Sequence, residues 1–158
     1  MHHERQVPRL LDDEHRELLA LLERAERTWA RDGSASDPAL ARAMLHQLEV
    51  ELERHFGFEE QDLFPRMADA GDGDLASLLA EEHDSIREVA AELRPLLQAA
   101  VAQPPAGAEA ARFARLVVEL VERQVAHVQK ESMALLPLLE DLLDDDGDRE
   151  LAMRYAAQ

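Results

Sequence analysis

Residues 55–65 read HFGFEEQDLFP and residues 127–137 read HVQKESMALLP, and the two stretches share one spacing. Each has His at the first place, Glu at the fifth, Leu at the ninth and Pro at the eleventh. On a helix, residues four apart lie about 40° apart in azimuth and roughly 6 Å apart along the axis. Each stretch therefore aims an imidazole and a carboxylate at a common point, His55 with Glu59 and His127 with Glu131. Imidazole nitrogen and ionised carboxylate oxygen are ligands for a first-row transition metal. Two such pairs facing each other point to a dinuclear site.

The likeness extends beyond these stretches. Residues 11–21, LDDEHRELLAL, match residues 79–89, LAEEHDSIREV, in a Glu-His pair and in the offsets of their apolar residues. The order along the chain is His15, His55-xxx-Glu59, His83, His127-xxx-Glu131. It reads as two copies of a helix–helix unit, the second 68 to 72 residues after the first. A duplicated hairpin predicts an all-α, up-down-up-down four-helix bundle with an approximate two-fold axis. A metal pair near that axis takes like ligands from each half.

At 158 residues the chain is most simply one domain, long enough to bury a core of useful size. No run of about 18 apolar residues exists, so no membrane span is expected. The N-terminal MHHERQVPRL lacks the apolar centre of a signal peptide, and the expected compartment is the cytoplasm. With no cysteine, disulfides, thiolate ligands and cysteine nucleophiles are all excluded. The formal charge is −17, spread over most of the chain without a basic stripe. Such a surface repels phosphate backbones and anionic lipid, which argues against nucleic-acid and membrane partners.

Residues 1–9 are expected to form a flexible N-terminus, with His2 and His3 outside any site. Residues 10–143 make the bundle, and 144–158 an acidic turn, read as a helix stop, followed by a C-terminal tail that packs as a short helix or frays. The first helix, about 10–31, carries the inward seam Leu11, His15, Leu18, Leu22, Ala25 and Trp29 in steps of four and three. After a loop at 32–37, with Asp37 as N-cap and Pro38 at the first helical position, the second helix runs to about Pro65. Its seam is Ala41, Leu45, Leu48, Leu52, His55 and Glu59. The third helix, about 75–101, carries Leu79, His83, Ile86, Ala90, Leu93 and Leu97, and Pro95 is expected to kink it or loosen its last turns. The fourth, about 109–143, carries Phe113, Val117, Leu120, Gln124, His127, Glu131 and Ala134. Pro65 and Pro137 each fall ten residues after a ligand His, which puts any helix bend in both halves. His46 lies nine residues before His55 and points about 180° away from it.

Singly, a His in a seam is most often a hydrogen-bonded core residue. Four of them in four seams, two paired with acids at one spacing, are not explained that way, and a buried carboxylate without a partner is costly. Zinc more often takes three or four ligands around one ion. Magnesium and calcium want more oxygen and less imidazole. Four nitrogens with two carboxylates suit a pair of iron ions, with manganese the second choice. Gln124, polar in the seam nearly a turn before His127, reads equally as a partner that fixes an imidazole or as a Gln at the bundle's edge.

The pattern resembles the hemerythrin family, most closely its bacterial branch of HHE cation-binding domains. The resemblance runs from about His15 to Glu140 and rests on LDDEH at 11–15, HFGFEEQDLFP at 55–65, EEHDSIR at 81–87 and HVQKESMALLPLLE at 127–140. It implies two irons bridged by two carboxylates and an oxo or hydroxo group. By that resemblance His15 and His55 hold one iron, His83 and His127 the other, and Glu59 and Glu131 bridge. Two departures stand out. The oxygen carriers have a further His one turn before the place of His83, where this chain has Leu79, and they end His then Asp at the fifth place, where this chain has Glu131 at the fourth. With Leu79 in that place, the expectation is that small ligands reach both irons. The remaining set of four His and two Glu is similar to that of the family's iron–sulfur-cluster repair proteins, whose cysteine-containing N-terminal segment is missing here.

Three functions follow as hypotheses. The first is a diiron protein that binds or senses oxygen or nitric oxide. The second is an enzyme that reduces peroxide or nitric oxide, or supplies iron for iron–sulfur cluster repair. The third is a helical adaptor whose histidines belong to the core, which metal analysis separates from the other two.

Overall fold

The computed structural model describes residues 3–158; His2 lies outside the described residues. Five helices follow in order and no strand is present among the described residues. Helix α1 spans Gln6–Trp29, α3 Gly73–Ala102 and α5 Asp145–Ala156. Helix α2 (38–69) and helix α4 (108–142) are continuous rods that each contain π-helical turns. In α2 these are Gln47–Glu51 and Glu59–Leu63, and in α4 Glu131–Leu135. The short connections make neighbours antiparallel, and α1 packs on α2 and α4 while α3 packs on the same two from the other side. The architecture is the expected up-down-up-down bundle.

Most seam residues are buried where the periodicity puts them, while Leu18, Leu45, His55 and Ala134 are half-buried. Leu22, Ala25, Trp29, Leu48, Leu52, Ile86, Leu93, Phe113, Val117 and Leu120 belong to one apolar layer toward the closed end of the bundle. Val7, Leu11, Phe58, Leu63, Met67, Leu79, Leu135 and Leu139 form a second layer at the other end. Deleting a buried Leu of either layer to Ala would cost about 2–5 kcal/mol. Between the two layers lies a slab of buried polar groups, and that slab holds the site. The closed end is tied by Trp29, whose indole donates to the Ala35 carbonyl at 3.0 Å and meets the Phe113 ring edge-on at 5.0 Å. Gly33 is needed there, since a Cβ on it would stand 1.9 Å from the Ala110 carbonyl oxygen.

Asp37 caps α2 as expected, accepting from the Leu40 amide at 3.0 Å with Pro38 in the first turn. Pro95 does not break α3. It lies on the exposed face, as does Ala91 four residues earlier, so the carbonyl that loses its partner turns to water. The prolines of the other two rods leave a mark. Pro65 and Pro137 each sit two residues beyond a π-turn that begins on a seam carboxylate, Glu59 or Glu131. The distortion occurs in both halves, as the repeat requires.

The ends differ from the expectation. Residues 6–9 are the first turn of α1 rather than a flexible arm, with Val7 and Pro8 buried. The cause is remote in sequence: the Asp148 carboxylate accepts from the Gln6 and Val7 amides, both at 2.9 Å, supplying the cap that the local sequence lacks. The acidic run 144–148 follows the end of α4 at Leu142 and is also a start, a role the sequence reading does not foresee. Asp144 accepts from the Gly147 amide at 2.7 Å, and Asp145, Asp146 and Asp148 follow in the first turn, where negative charge is favoured by the helix dipole. The tail packs rather than frays: α5 buries Leu151 and Tyr155, and the Tyr155 ring lies 4.6 Å from that of Phe58.

Candidate metal centre

One residue from α1, two from α2, one from α3 and two from α4 converge in the polar slab. Glu59, His83, His127 and Glu131 present ligand atoms within 4.8 Å of one another, and so do His15, His55 and Glu131. The two carboxylates divide their oxygens between the histidine pairs. Glu131 Oε1 lies 2.8 Å from His15 Nε2 and 3.6 Å from His55 Nε2, while its Oε2 lies 3.3 Å from His127 Nε2 and 3.9 Å from His83 Nε2. Glu59 does the same, with Oε2 3.4 Å from His55 Nε2 and Oε1 3.1 Å from His83 Nε2. All four histidines turn Nε2 inward, and each acid stands between one pair and the other.

Most of the buried side-chain atoms left without a hydrogen bond fall on this set. Both oxygens of Glu59, Oε2 of Glu131 and Nε2 of His83 and His127 have no aligned partner. Burying such groups dry costs several kcal/mol each, and cations among them remove that cost. A pair of transition-metal ions therefore fits the residues present.

The outward Nδ1 atoms are held by acids that the seam reading passed over. His55 Nδ1 donates to Glu14 at 2.8 Å, His83 to Glu60 at 2.6 Å and His127 to Glu82 at 2.8 Å. Each acid has a further anchor: the Tyr155 hydroxyl and Arg54 on Glu14, Arg87 on Glu60, and Lys130 on Glu82. A carboxylate behind a ligating imidazole fixes its tautomer and raises its basicity. The signal was in the sequence, for Glu14 and Glu82 are the acids of the repeated Glu-His pair.

Gln124 does not hold an imidazole. It is buried with its Oε1 unpartnered, and three of the four imidazoles are held by acids instead. His3 is also buried but stands 3.6 Å from Glu140, away from both clusters. His46 is exposed as expected, 3.5 Å from Glu51.

The electrostatics favour positive charge here. Burial works against the His83 imidazolium, yet Glu131, Glu59 and Glu60 outweigh it and raise the group to about 9. His55 and His127 are raised by the same balance of burial against surrounding carboxylates. Glu131 is fully buried, which favours its neutral form, but the surrounding imidazoles, His127 and His15 foremost, hold it well below the usual carboxylate range. Protons and metal ions compete for the same atoms.

The profile of the hemerythrin HHE cation binding domain matches residues 7–148. The chain belongs to the hemerythrin family. No curated protein matches it significantly. The match extends beyond the His15–Glu140 stretch that carries the motifs and takes in the first turn of α1 and Asp148, the residue that caps it.

In this hemerythrin domain the two histidine pairs are not equally accessible. A cavity of about 420 Å³ opens between α1 and α2 and is lined by His15, His55, Gln124, His127 and Glu131, with His46 and Glu51 at its wall. His83 is absent from the lining. Its ring stacks on Phe56 at 3.7 Å and 6° and lies 5.5 Å from Phe64, and it has no exposed surface. Leu79 is fully buried in the lower apolar layer. Leu79 thus opens no path of its own: aromatic packing covers His83, while the cavity reaches both histidines of one pair and His127 of the other.

Proposed function

We propose that this hemerythrin-family chain holds two non-heme irons and binds or senses a small diatomic ligand, oxygen or nitric oxide, at the His15–His55 end of the pair. The observation that carries the reading is the division of the Glu59 and Glu131 oxygens between two pairs of inward Nε2 atoms. His15 and His55 would hold one ion, His83 and His127 the other, with the two acids shared. When bound, the iron pair supplies exchange of electrons with the diatomic ligand. The chain's own contribution is to orient the imidazoles through Glu14, Glu60 and Glu82, to admit a small molecule through the cavity, and to keep bulk water from the aromatic-capped end. Among the described residues no helix is long and apolar enough to cross a membrane.

The test is anaerobic loading with ferrous iron followed by titration with nitric oxide, read optically and by paramagnetic resonance. The reading predicts a saturable adduct, and it predicts that Leu52→Phe and Leu18→Phe, which narrow the cavity, slow its formation with iron content unchanged. An iron-loaded chain that forms no adduct would overturn the ligand reading. Catalytic consumption of nitric oxide or peroxide at many equivalents per chain would turn the reading toward an enzyme.

A further inference from the structure

Four of the ligand contacts repeat between the halves, although Glu131 also reaches His55 at 3.6 Å and His83 at 3.9 Å where Glu59 has no matching contact. His15 on Glu131 at 2.8 Å answers to His83 on Glu59 at 3.1 Å. His55 on Glu59 at 3.4 Å answers to His127 on Glu131 at 3.3 Å. Glu14 behind His55 answers to Glu82 behind His127, both at 2.8 Å. Among the acids behind the imidazoles, one contact has no counterpart. Glu60 accepts from His83 Nδ1 at 2.6 Å, but the residue 72 places after Glu60 is Ser132, and His15 Nδ1 is buried without a hydrogen-bond partner.

That single gap falls on the accessible end. The His55 side chain retains 12% of its exposure while His83 retains none, and the cavity is lined by His15, His55 and His127 but not His83. An imidazole with a carboxylate on its far nitrogen is fixed in the tautomer that ligates and is more basic, and loss of such a partner typically weakens metal binding about 10–100-fold. One pair of histidines has two such partners and the other pair has one.

We propose that the two metal positions are unequal: His83–His127 is the tight one, and His15–His55 is weaker and exchangeable, because Ser132 stands where the first repeat has Glu60. This rests on the two-metal reading of the site. Over a range of free metal the chain then carries one ion, and occupancy of the second position follows the surrounding concentration. Glu60 is thereby a positioning residue, acting on the metal through His83.

The experiment is titration of the metal-free chain with cobalt(II) against a competing chelator, read by d–d absorption and by native mass. Two steps are expected, separated by about 10–100-fold, with only the tighter one surviving in His15→Ala. Ser132→Glu is expected to tighten the weaker step. Glu60→Ser is expected to loosen the tighter one by a similar factor, bringing the two together. Glu60 is partly exposed, so Glu60→Ser carries the test if Ser132→Glu does not fold. Repulsion between the ions also separates the steps, but that separation would not respond to either substitution. Two equal steps in the unmodified chain, or two steps that neither variant moves, would overturn the inference and leave the two-metal reading intact. A chain that binds no metal overturns both.

Discussion

The two halves of the bundle place like ligands at like distances and then enclose them differently. In the half that supplies His83, the ring is held by Glu60 and covered by Phe56 and Phe64. The repeat puts Ser132, Val128 and Leu136 in the corresponding places around His15. An acid and two aromatic rings on one side are thus replaced by a hydroxyl and two aliphatic side chains on the other. The cavity has Val128 in its lining. Duplication secures the inner ligands, and divergence of the surrounding residues decides which end is rigid and which is open.

The largest effect expected comes from removing what the halves share. Glu131 meets all four imidazoles, so Glu131→Ala should abolish metal loading at both positions, measured as iron per folded chain. His46→Ala should leave loading unchanged, since that ring is exposed and paired only with Glu51. Phe56→Ala acts most strongly on the His83 end, where the ring is stacked at 3.7 Å. It removes a buried ring stacked on His83 and should cost about 3–5 kcal/mol in denaturant unfolding, while letting a small ligand reach the His83 end. Tyr155→Phe acts on the other half by taking the hydroxyl from Glu14. Hydrogen bonds to charged groups are worth about 1.5–3 kcal/mol, and because Glu14 keeps His55 and Arg54 the loss should sit at the lower end.

A smaller, graded effect is expected with pH in the metal-free chain. The His83 imidazole is at 6.5 when unperturbed and about 9 in the fold. Its folded value is raised, so its contribution to stability is full below 6.5 and is lost as the pH rises through 9. Glu131 is shifted the other way, and its contribution is lost as the pH falls below the ordinary carboxylate range. Thermal unfolding of the metal-free chain should therefore occur at a lower temperature at pH 9 than at pH 6. Metal affinity should show the opposite slope, because the ligating imidazole must first give up its proton. Parallel slopes would mean that the imidazoles do not carry the effect.

The inner site could be read from sequence because a helix converts spacing into direction. His55-xxx-Glu59 and its copy lie in seams whose other members are apolar, and burial follows. Glu14, Glu60 and Glu82 escaped that logic. They sit beside the seam, in places where an acid usually meets solvent, and only the partner helix reveals the imidazole that each one meets. The cap on α1 was invisible for a related reason, since Asp148 lies about 140 residues from the amides it accepts. The tilt toward one open end depends on Phe56 and Phe64, whose aromatic character reads in sequence as ordinary core. Pro65 and Pro137 pointed to a bend in both halves, and the structure shows there a π-turn starting at Glu59 and at Glu131.

The central claim is that the acids shared between two histidine pairs gather two metal ions in one bundle. Native mass measurement of the intact chain after saturating anaerobic loading with ferrous iron and removal of excess tests it most directly. The account predicts a folded species carrying two irons, displaced to the metal-free mass by Glu131→Ala and unchanged by His46→Ala. A folded chain that carries no iron at saturation, or a Glu131→Ala chain that still carries two, would contradict it.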